Sequence, residues 1–205
     1  MGDGETADAL FGGTLTLMQP ARGHRIGTDA VLLAAACPAD ARRIVDLGCG
    51  AGAVGLRAAQ IRPQAASVLV DIDADCVALA ARNSQANGLA NRCRTLEADI
   101  MARPFPPPGS DLAGWADVVL TNPPFAAPGQ GTPSPDRERA RAHVLAGPLD
   151  QWVRAGLACL APRGTLVMIH RADALPALLA ALDRRFGDIR IRPVHPHADQ
   201  PAHRV

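Results

Sequence analysis

Arg43-Ile44-Val45-Asp46-Leu47-Gly48-Cys49-Gly50-Ala51-Gly52-Ala53-Val54-Gly55-Leu56 decides how the rest of the chain is read. Ile44, Val45 and Leu47 make an apolar run short enough for one buried parallel strand. The glycines behind it form a turn in which no side chain shields the backbone, so a ligand can come close. From Ala53 to Ala59 the pattern is helical, and the amides at that helix N-terminus point toward whatever sits over the glycines. A strand, a glycine turn and a helix in this order suit a nucleotide-like ligand.

Two cofactors fit the spacing, because Gly48-x-Gly50-x-x-Ala53 is also an acceptable dinucleotide fingerprint. Asp46, two residues before the first glycine, separates them. A carboxylate there would repel a pyrophosphate, whereas S-adenosylmethionine brings a sulfonium and an ammonium that a carboxylate accommodates. The expected cofactor is therefore the methyl donor, with Asp46, Gly48, Gly50 and Gly52 as its first contacts. The bland alternative is a tight strand-to-helix connection with no ligand.

Length and composition bound the rest. The chain has 205 residues, 48% hydrophobic and 20% charged, which suits one soluble domain with a sizeable core. The expected organisation is a single domain over 1–205, with a hairpin and capping helix over 1–40 and the nucleotide-binding core over 41–205. A net charge of +1 provides no strong whole-molecule field, so nucleic-acid or membrane binding must rest on local patches. All 21 basic residues are arginine, which excludes Schiff-base chemistry and a lysine-containing phosphate loop. Cys37, Cys49, Cys76, Cys93 and Cys159 contain no Cys-x-x-Cys pair and read as free thiols, mostly buried, in a reducing compartment. The acidic start (Asp3, Glu5, Asp8) is unlike a signal peptide, and no apolar run is long enough to span a bilayer. The expected location is cytoplasmic, with no membrane partner.

Ahead of the turn, Phe11 to Pro20 alternates between glycines as a small hairpin, a lid or cap. Thr28 or Asp29 is placed to cap an apolar helix from Ala30 to Cys37, or to face the donor pocket. Behind the turn, Ala66 to Asp73 reads as a second buried strand that delivers Asp71 and Ile72 about 20 residues downstream, where an acid accepts ribose hydroxyls. Asp73 is as well placed to cap the helix from Asp75 to Asn87 as to touch a ligand. A third strand, Arg92 to Ala98, brings Asp99 and Ile100 to the same edge, an acceptor for an adenine amine beside an apolar ring contact.

The chemistry lies in Ala116-Asp117-Val118-Val119-Leu120-Thr121-Asn122-Pro123-Pro124-Phe125. Four apolar strand residues run into an amide, two prolines and an aromatic. The prolines fix the backbone and leave carbonyl oxygens as acceptors, Asn122 adds its side-chain oxygen, and Phe125 offers a flat face. This set suits a planar molecule with an amino group. An exocyclic amine is a poor nucleophile because its lone pair is delocalised. If Asn122 and the Pro123 carbonyl accept its two hydrogens, the nitrogen can turn its lone pair on a methyl group. No metal or strong base is required.

Together these residues resemble a known family. Asp46-Leu-Gly-Cys-Gly-Ala-Gly52 with Asn122-Pro-Pro-Phe125 is similar to the class I S-adenosylmethionine-dependent amino methyltransferases. Gly12-Gly13, Gln19-Pro20, Gly23 through Leu33 and Ser134 through His143 resemble the bacterial subfamily of valine-tRNA adenine-N6 methyltransferases. The resemblance implies a seven-stranded sheet, donor contacts at Asp46, Gly48, Gly50, Gly52, Asp71 and Asp99, and target-amine contacts at Asn122 and Phe125. Phenylalanine replaces the commoner tyrosine of the motif. The chain stops at Ala202 to Val205, where the family's last strand would begin.

The expectation is an α/β, Rossmann-like fold with a mostly parallel sheet, helices on both faces and a shortened last strand. The expected activity is methyl transfer to an exocyclic amine, adenine N6 of tRNA first. A protein-glutamine or guanine-N2 acceptor is the near alternative; a nicotinamide oxidoreductase or an inactive cofactor-binding module is the distant one. Asn122, Pro123 and Phe125 carry the chemistry. Thr28, Asp46, Gly48, Gly50, Gly52, Asp71, Ile72, Asp99, Ile100 and Asn122 face the donor. The partner is RNA, with Phe125, Trp115 and Trp152 as possible stacking faces, and monomer and homodimer both stay open. Arg137, Arg139 and Arg141 fit a solvated helix start or a phosphate-contacting loop. Leu149 to Leu160 reads as a helix, Gly164 to His170 as the fifth strand, Ala172 to Phe186 as the last helix and Asp188 to Val194 as a sixth strand. His195 and His197 read as a plain loop, and no metal is expected.

Overall fold

A computed structural model describes residues 5–21, 26–124 and 149–205. The strands are β1 (Glu5–Leu10), β2 (Leu15–Pro20), β3 (Arg43–Leu47), β4 (Ala66–Asp71), β5 (Cys93–Glu97), β6 (Ala116–Thr121) and β7 (Leu160–Met168). The helices are α1 (Thr28–Ala35), α2 (Ala53–Ile61), α3 (Ala74–Ala86), α4 (Leu149–Cys159) and α5 (Leu175–Leu182). β1 and β2 form an antiparallel hairpin; the other five strands form a sheet ordered β5-β4-β3-β6-β7. Every neighbouring pair in that sheet is parallel. The order reverses at β3, which has β4 on one side and β6 on the other, so the crevice beyond its carboxyl end is where such a sheet takes a ligand.

Alternation along the strands sorts the core into two faces. Ile44, Val118 and Leu120 pack with Ala30 and Leu33 of α1 and Val54 and Ala58 of α2. Val45, Leu47 and Val119 turn the other way, onto Trp152, Ala155 and Cys159 of α4. Helices therefore cover both faces of a sheet whose strands carry apolar residues on both sides, as parallel strands require. The doubly wound α/β reading holds.

Several boundaries differ from the sequence reading. The hairpin begins at Glu5, so the polar stretch ahead of Phe11 is itself a strand, paired from Glu5↔Pro20 to Leu10↔Leu15. Leu15 and Leu17 are fully buried with Leu56, Leu69 and Ala80, which makes the hairpin a packed wall of the core rather than a movable lid. Helix α1 starts from Gly27 with no side-chain cap, so neither Thr28 nor Asp29 caps it. Asp29 instead accepts a hydrogen bond from Arg204 Nε at 2.9 Å.

The largest departure is at the carboxyl end. Asp188 to Val194 forms no strand; among the described residues its only sheet-like pairing is one bridge from Val194 to Arg204. Ile189 and Ile191 lie 40% and 46% exposed. Ile-Arg alternation alone favours an extended chain, but without a buried face nothing holds that chain on the sheet edge. The last helix is likewise shorter than Ala172 to Phe186: a 3-10 turn over Ala172–Ala174 leads into α5. Among the described residues the main sheet thus has five strands, not seven.

Candidate active site at the carboxyl edge of the sheet

The glycine turn is built from inside. Gly48 and Cys49 both donate backbone hydrogen bonds to Val70 O, at 2.8 and 3.0 Å, and Gly52 donates to Cys49 O at 2.8 Å. Gly48, Gly50 and Gly52 have φ of +75°, +52° and +89°, in the left-handed region that disfavours a side chain. Their surroundings differ. A Cβ on Gly48 would stand 2.9 Å from Trp152 Cη2, and one on Gly52 would meet Ala80 and Leu69 at 3.2 Å. A Cβ on Gly50 would meet no described atom within 4 Å. Gly48 and Gly50 are half-buried and Gly52 is buried; the Trp152 indole packs where a Gly48 side chain would stand, and Gly52 is packed into the core.

Asp46 is 2% exposed, and its Oδ2 accepts the Gly55 amide at 2.8 Å. Gly55 is in the first turn of α2, so this carboxylate satisfies an amide that the helix leaves unpaired. Burial pushes the Asp46 pKa up to about 7, against the pull of that amide and with help from the nearby Asp71 charge. Asp71 lies at the end of β4 and accepts the amides of Gly50 at 2.8 Å and Asp73 at 3.1 Å. Burial raises its pKa as well, opposed by those two amides. Two acidic groups above their usual range flank one turn. Burial, with both carboxylates nearby, holds the Cys49 thiol well above its ordinary value, so it is not a nucleophile at neutral pH.

Asn122 follows β6 directly. Leu47 pairs with Thr121, and Thr121 Oγ1 donates to Leu47 O at 2.8 Å, so Asn122 leaves the sheet beside Gly48. Its Oδ1 is buried and has no hydrogen-bond partner among the described residues. An amide oxygen withdrawn from water without a donor is costly, and such a group calls for a ligand that supplies one. Pro123 is buried behind it. Phe125 and the arginines of 126–148, Arg137, Arg139 and Arg141, lie outside the described residues.

The remaining candidates divide. Ile72 is 36% exposed immediately after Asp71 and offers an apolar face at the donor edge. Ile100 is 5% exposed within the α4 face of the core, so it is not open to stack on a ring. Asp99 is exposed, and its Oδ1 is engaged by the Met101 amide at 2.7 Å. Asp73 caps α3 through the Asp75 amide, the structural one of its two roles. Thr28 is exposed at the first residue of α1. Trp152 is 5% exposed and Trp115 stands at the amino end of β6, so neither serves as a base-stacking face at this edge.

The place of Trp152 against Gly48 and the contribution of Asn83 escaped the sequence reading. Trp152 has its Nε1 buried without a partner among the described residues, while its ring fills the hollow at Gly48. Asn83 is fully buried and donates to Ala51 O in the glycine turn at 2.9 Å. The signal for the second was present: Asn83 and Asn87 are four apart on one helical face, where buried packing would otherwise favour apolar residues.

A parallel sheet that reverses at β3, with a glycine turn, an acid after β4 and an amide after β6, defines a Rossmann-like α/β fold. Residues 24–192 match the model of the methyltransferase small domain, and the chain belongs to that family. It is 33% identical over 164 residues to the tRNA1(Val) (adenine(37)-N6)-methyltransferase of Tolumonas auensis, covering 77% of this chain and 65% of that protein. The protein of the same name from Porphyromonas gingivalis is 32% identical over 162 residues, 75% of this chain and 61% of that one. The chain thus spans under two-thirds of these relatives' length. Among solved structures, a predicted O-methyltransferase from Agrobacterium tumefaciens superposes with a TM-score of 0.70 at 28% identity, over 86% of this chain and 77% of that one.

Proposed function

We propose that the protein transfers a methyl group from S-adenosylmethionine to an exocyclic amine, adenine N6 of a tRNA, working as one catalytic domain in the cytoplasm. The observation that carries this reading is Asn122 Oδ1, a buried acceptor without a donor at the end of β6. Family membership and the tRNA-modifying relatives support it.

The residues present fit the donor. Gly50 leaves open backbone where a ligand can lie against the turn. Asp71 uses part of its acceptor capacity on two amides, and a carboxylate has about four lone-pair sites, which leaves room for ribose hydroxyls. Ile72 supplies an apolar face beside it. Bound there, S-adenosylmethionine supplies a methyl group made electrophilic by a positively charged sulfur. Asp46 and Asp71 place negative potential around that charge.

Asn122 then does the work on the other side. Its Oδ1 and the Pro123 carbonyl accept the two hydrogens of the target amine, favouring a more tetrahedral nitrogen with a directed lone pair. Orientation lowers the barrier without a base, and the surplus proton leaves to solvent once the nitrogen carries its new substituent.

Incubating the protein with labelled donor and bulk tRNA, ribosomal RNA or a release factor, then locating the label, tests the acceptor. Label on tRNA adenine is the expected result; label on a protein glutamine or a guanine would replace it. Asn122→Ala should lower transfer at least about 100-fold, the scale of losing one aimed hydrogen-bonding group, while S-adenosylhomocysteine binds as before. An active variant would remove Asn122 from its role.

A further inference from the structure

A cavity of about 490 Å³ opens beyond β7, lined by Arg171, Ala172, Asp173, Ala202, His203 and Arg204. Its walls are held by backbone pairing. His170 and Val205 exchange two hydrogen bonds of 3.0 Å, Ala172 N donates to His203 O at 3.0 Å, and Val194 N donates to Arg204 O at 2.8 Å. Arg204 Nε is anchored on Asp29 of α1 at 2.9 Å. Arg171 grips Asp173 through Nε and Nη2, which leaves its Nη1 uncommitted among the described residues. Each guanidinium thus has a carboxylate of its own, Arg204 with Asp29 and Arg171 with Asp173, and what the hollow still offers an anion is Arg171 Nη1 and the exposed His203.

The position of the hollow gives it meaning. Ile169 N donates to Thr121 O at 3.2 Å, so β7 leaves the sheet beside the residue that precedes Asn122. Arg171 is two residues further on, about 7 Å along an extended chain. The donor candidates stand on β3 and β4, Asn122 on β6, and the cavity just past β7. The order across the edge is donor, amine, cavity. A second cavity, of about 350 Å³, includes Arg43 and Asp117 at the amino ends of β3 and β6, the opposite edge of the sheet.

We infer that the cavity formed by Arg171, His203 and Arg204 is a phosphate subsite that holds the RNA backbone next to the target nucleotide. The inference rests on RNA being the acceptor. With a net charge of +1 the molecule has no general field for RNA, so backbone recognition must be local. Arginine is the side chain suited to it, since its planar fork matches phosphate oxygens. The cavity is open to solvent at the same edge as Asn122, and Arg171 Nη1 supplies the donor that a phosphodiester would take.

The test compares wild type with Arg171→Gln and His203→Ala on a tRNA fragment, and on the same fragment with neutral methylphosphonates flanking the modified adenosine. Each substitution should weaken RNA binding about ten-fold, and Arg171→Gln should also lower the salt dependence by about one counterion, with S-adenosylhomocysteine affinity and the melting curve unchanged. Neutral phosphates should weaken binding to wild type and make little difference to Arg171→Gln. Equal affinities and salt slopes in wild type and both variants, with tRNA methylated normally, overturn the subsite alone. A wild type that methylates only a protein amide overturns the RNA reading, and the subsite with it.

Discussion

At Asp46, one carboxylate joins the helix to the ligand edge. It is 2% exposed, accepts the Gly55 amide and has its pKa pushed up to about 7 by burial. An unfolded aspartate titrates near 3.9. Between about pH 4 and pH 7 the folded chain therefore keeps a proton that the unfolded chain has lost. The stability this group confers falls as pH rises through that window, by as much as about 1.4 kcal/mol per unit, and levels off above 7. A cationic ligand reverses the preference, because it favours the ionised carboxylate. Binding of S-adenosylmethionine should release a proton below pH 7 and tighten as pH rises from 5.5 to 7. S-adenosylhomocysteine, whose sulfur is neutral, should tighten less. Calorimetric titrations of both ligands across pH 5.5 to 8 check this, and an affinity ratio that stays flat would mean Asp46 serves the helix alone.

Among the elements, α3 ties the amino-terminal hairpin to the glycine turn. Met18 N donates to Asn83 Oδ1 and Asn83 Nδ2 donates back to Met18 O, both at 2.8 Å. Asn87 repeats the pattern with Thr16 N and O at 2.9 and 2.7 Å. Two amides four apart on a helix thus act as the missing neighbour for residues two apart on β2, closing an edge that would otherwise stay unpaired. Asn83 also holds Ala51 O. Asn83→Leu would leave the Met18 and Ala51 groups without partners, and should destabilise the fold by roughly 2–4 kcal/mol in chemical denaturation. It should also weaken donor binding, since the turn loses a support; a variant as stable as wild type would show that the hairpin docks through Leu15 and Leu17 alone.

The same elements show what could be read in advance. β3, the glycine turn, β4 and β6 were legible because buried parallel strands are continuous apolar runs, and because turn glycines and the prolines after Asn122 carry local constraints. Gly55 was legible but unread: glycine inside a helix costs about 1 kcal/mol relative to alanine, so it signals close packing. A Cβ there would lie 2.2 Å from Leu69 Cδ2. Ile100 was assigned to the ligand, but it is core, because position at a strand end does not fix which way a side chain turns. Trp152 counts in the sequence as one of few aromatic faces for a base, but its ring packs on Gly48, a long-range contact that no spacing records. Asp188 to Val194 has the alternation of a strand without a face to bury.

Across the whole molecule, the ligand edge is wired into the fold through one set of contacts. Gly50 N bonds Asp71 at the end of β4, Ala51 O bonds Asn83 on α3, Gly55 N bonds Asp46 on β3, and Gly48 seats Trp152 from α4. A ligand that rests on this turn adds to contacts drawn from both faces of the sheet, so its binding energy should appear as global stability rather than local ordering. A ligand present at about one hundred times its Kd stabilises the native state by about 2.7 kcal/mol. For a chain of this size that corresponds to a rise in Tm of roughly 5–10 °C. S-adenosylhomocysteine should produce that rise in a single cooperative transition, and NAD at equal concentration should produce none, because a pyrophosphate against Asp46 and Asp71 meets two carboxylates. Thermal melts with each ligand decide it. A rise with NAD and none with S-adenosylhomocysteine would assign the glycine turn to a dinucleotide and remove the methyl donor from the site.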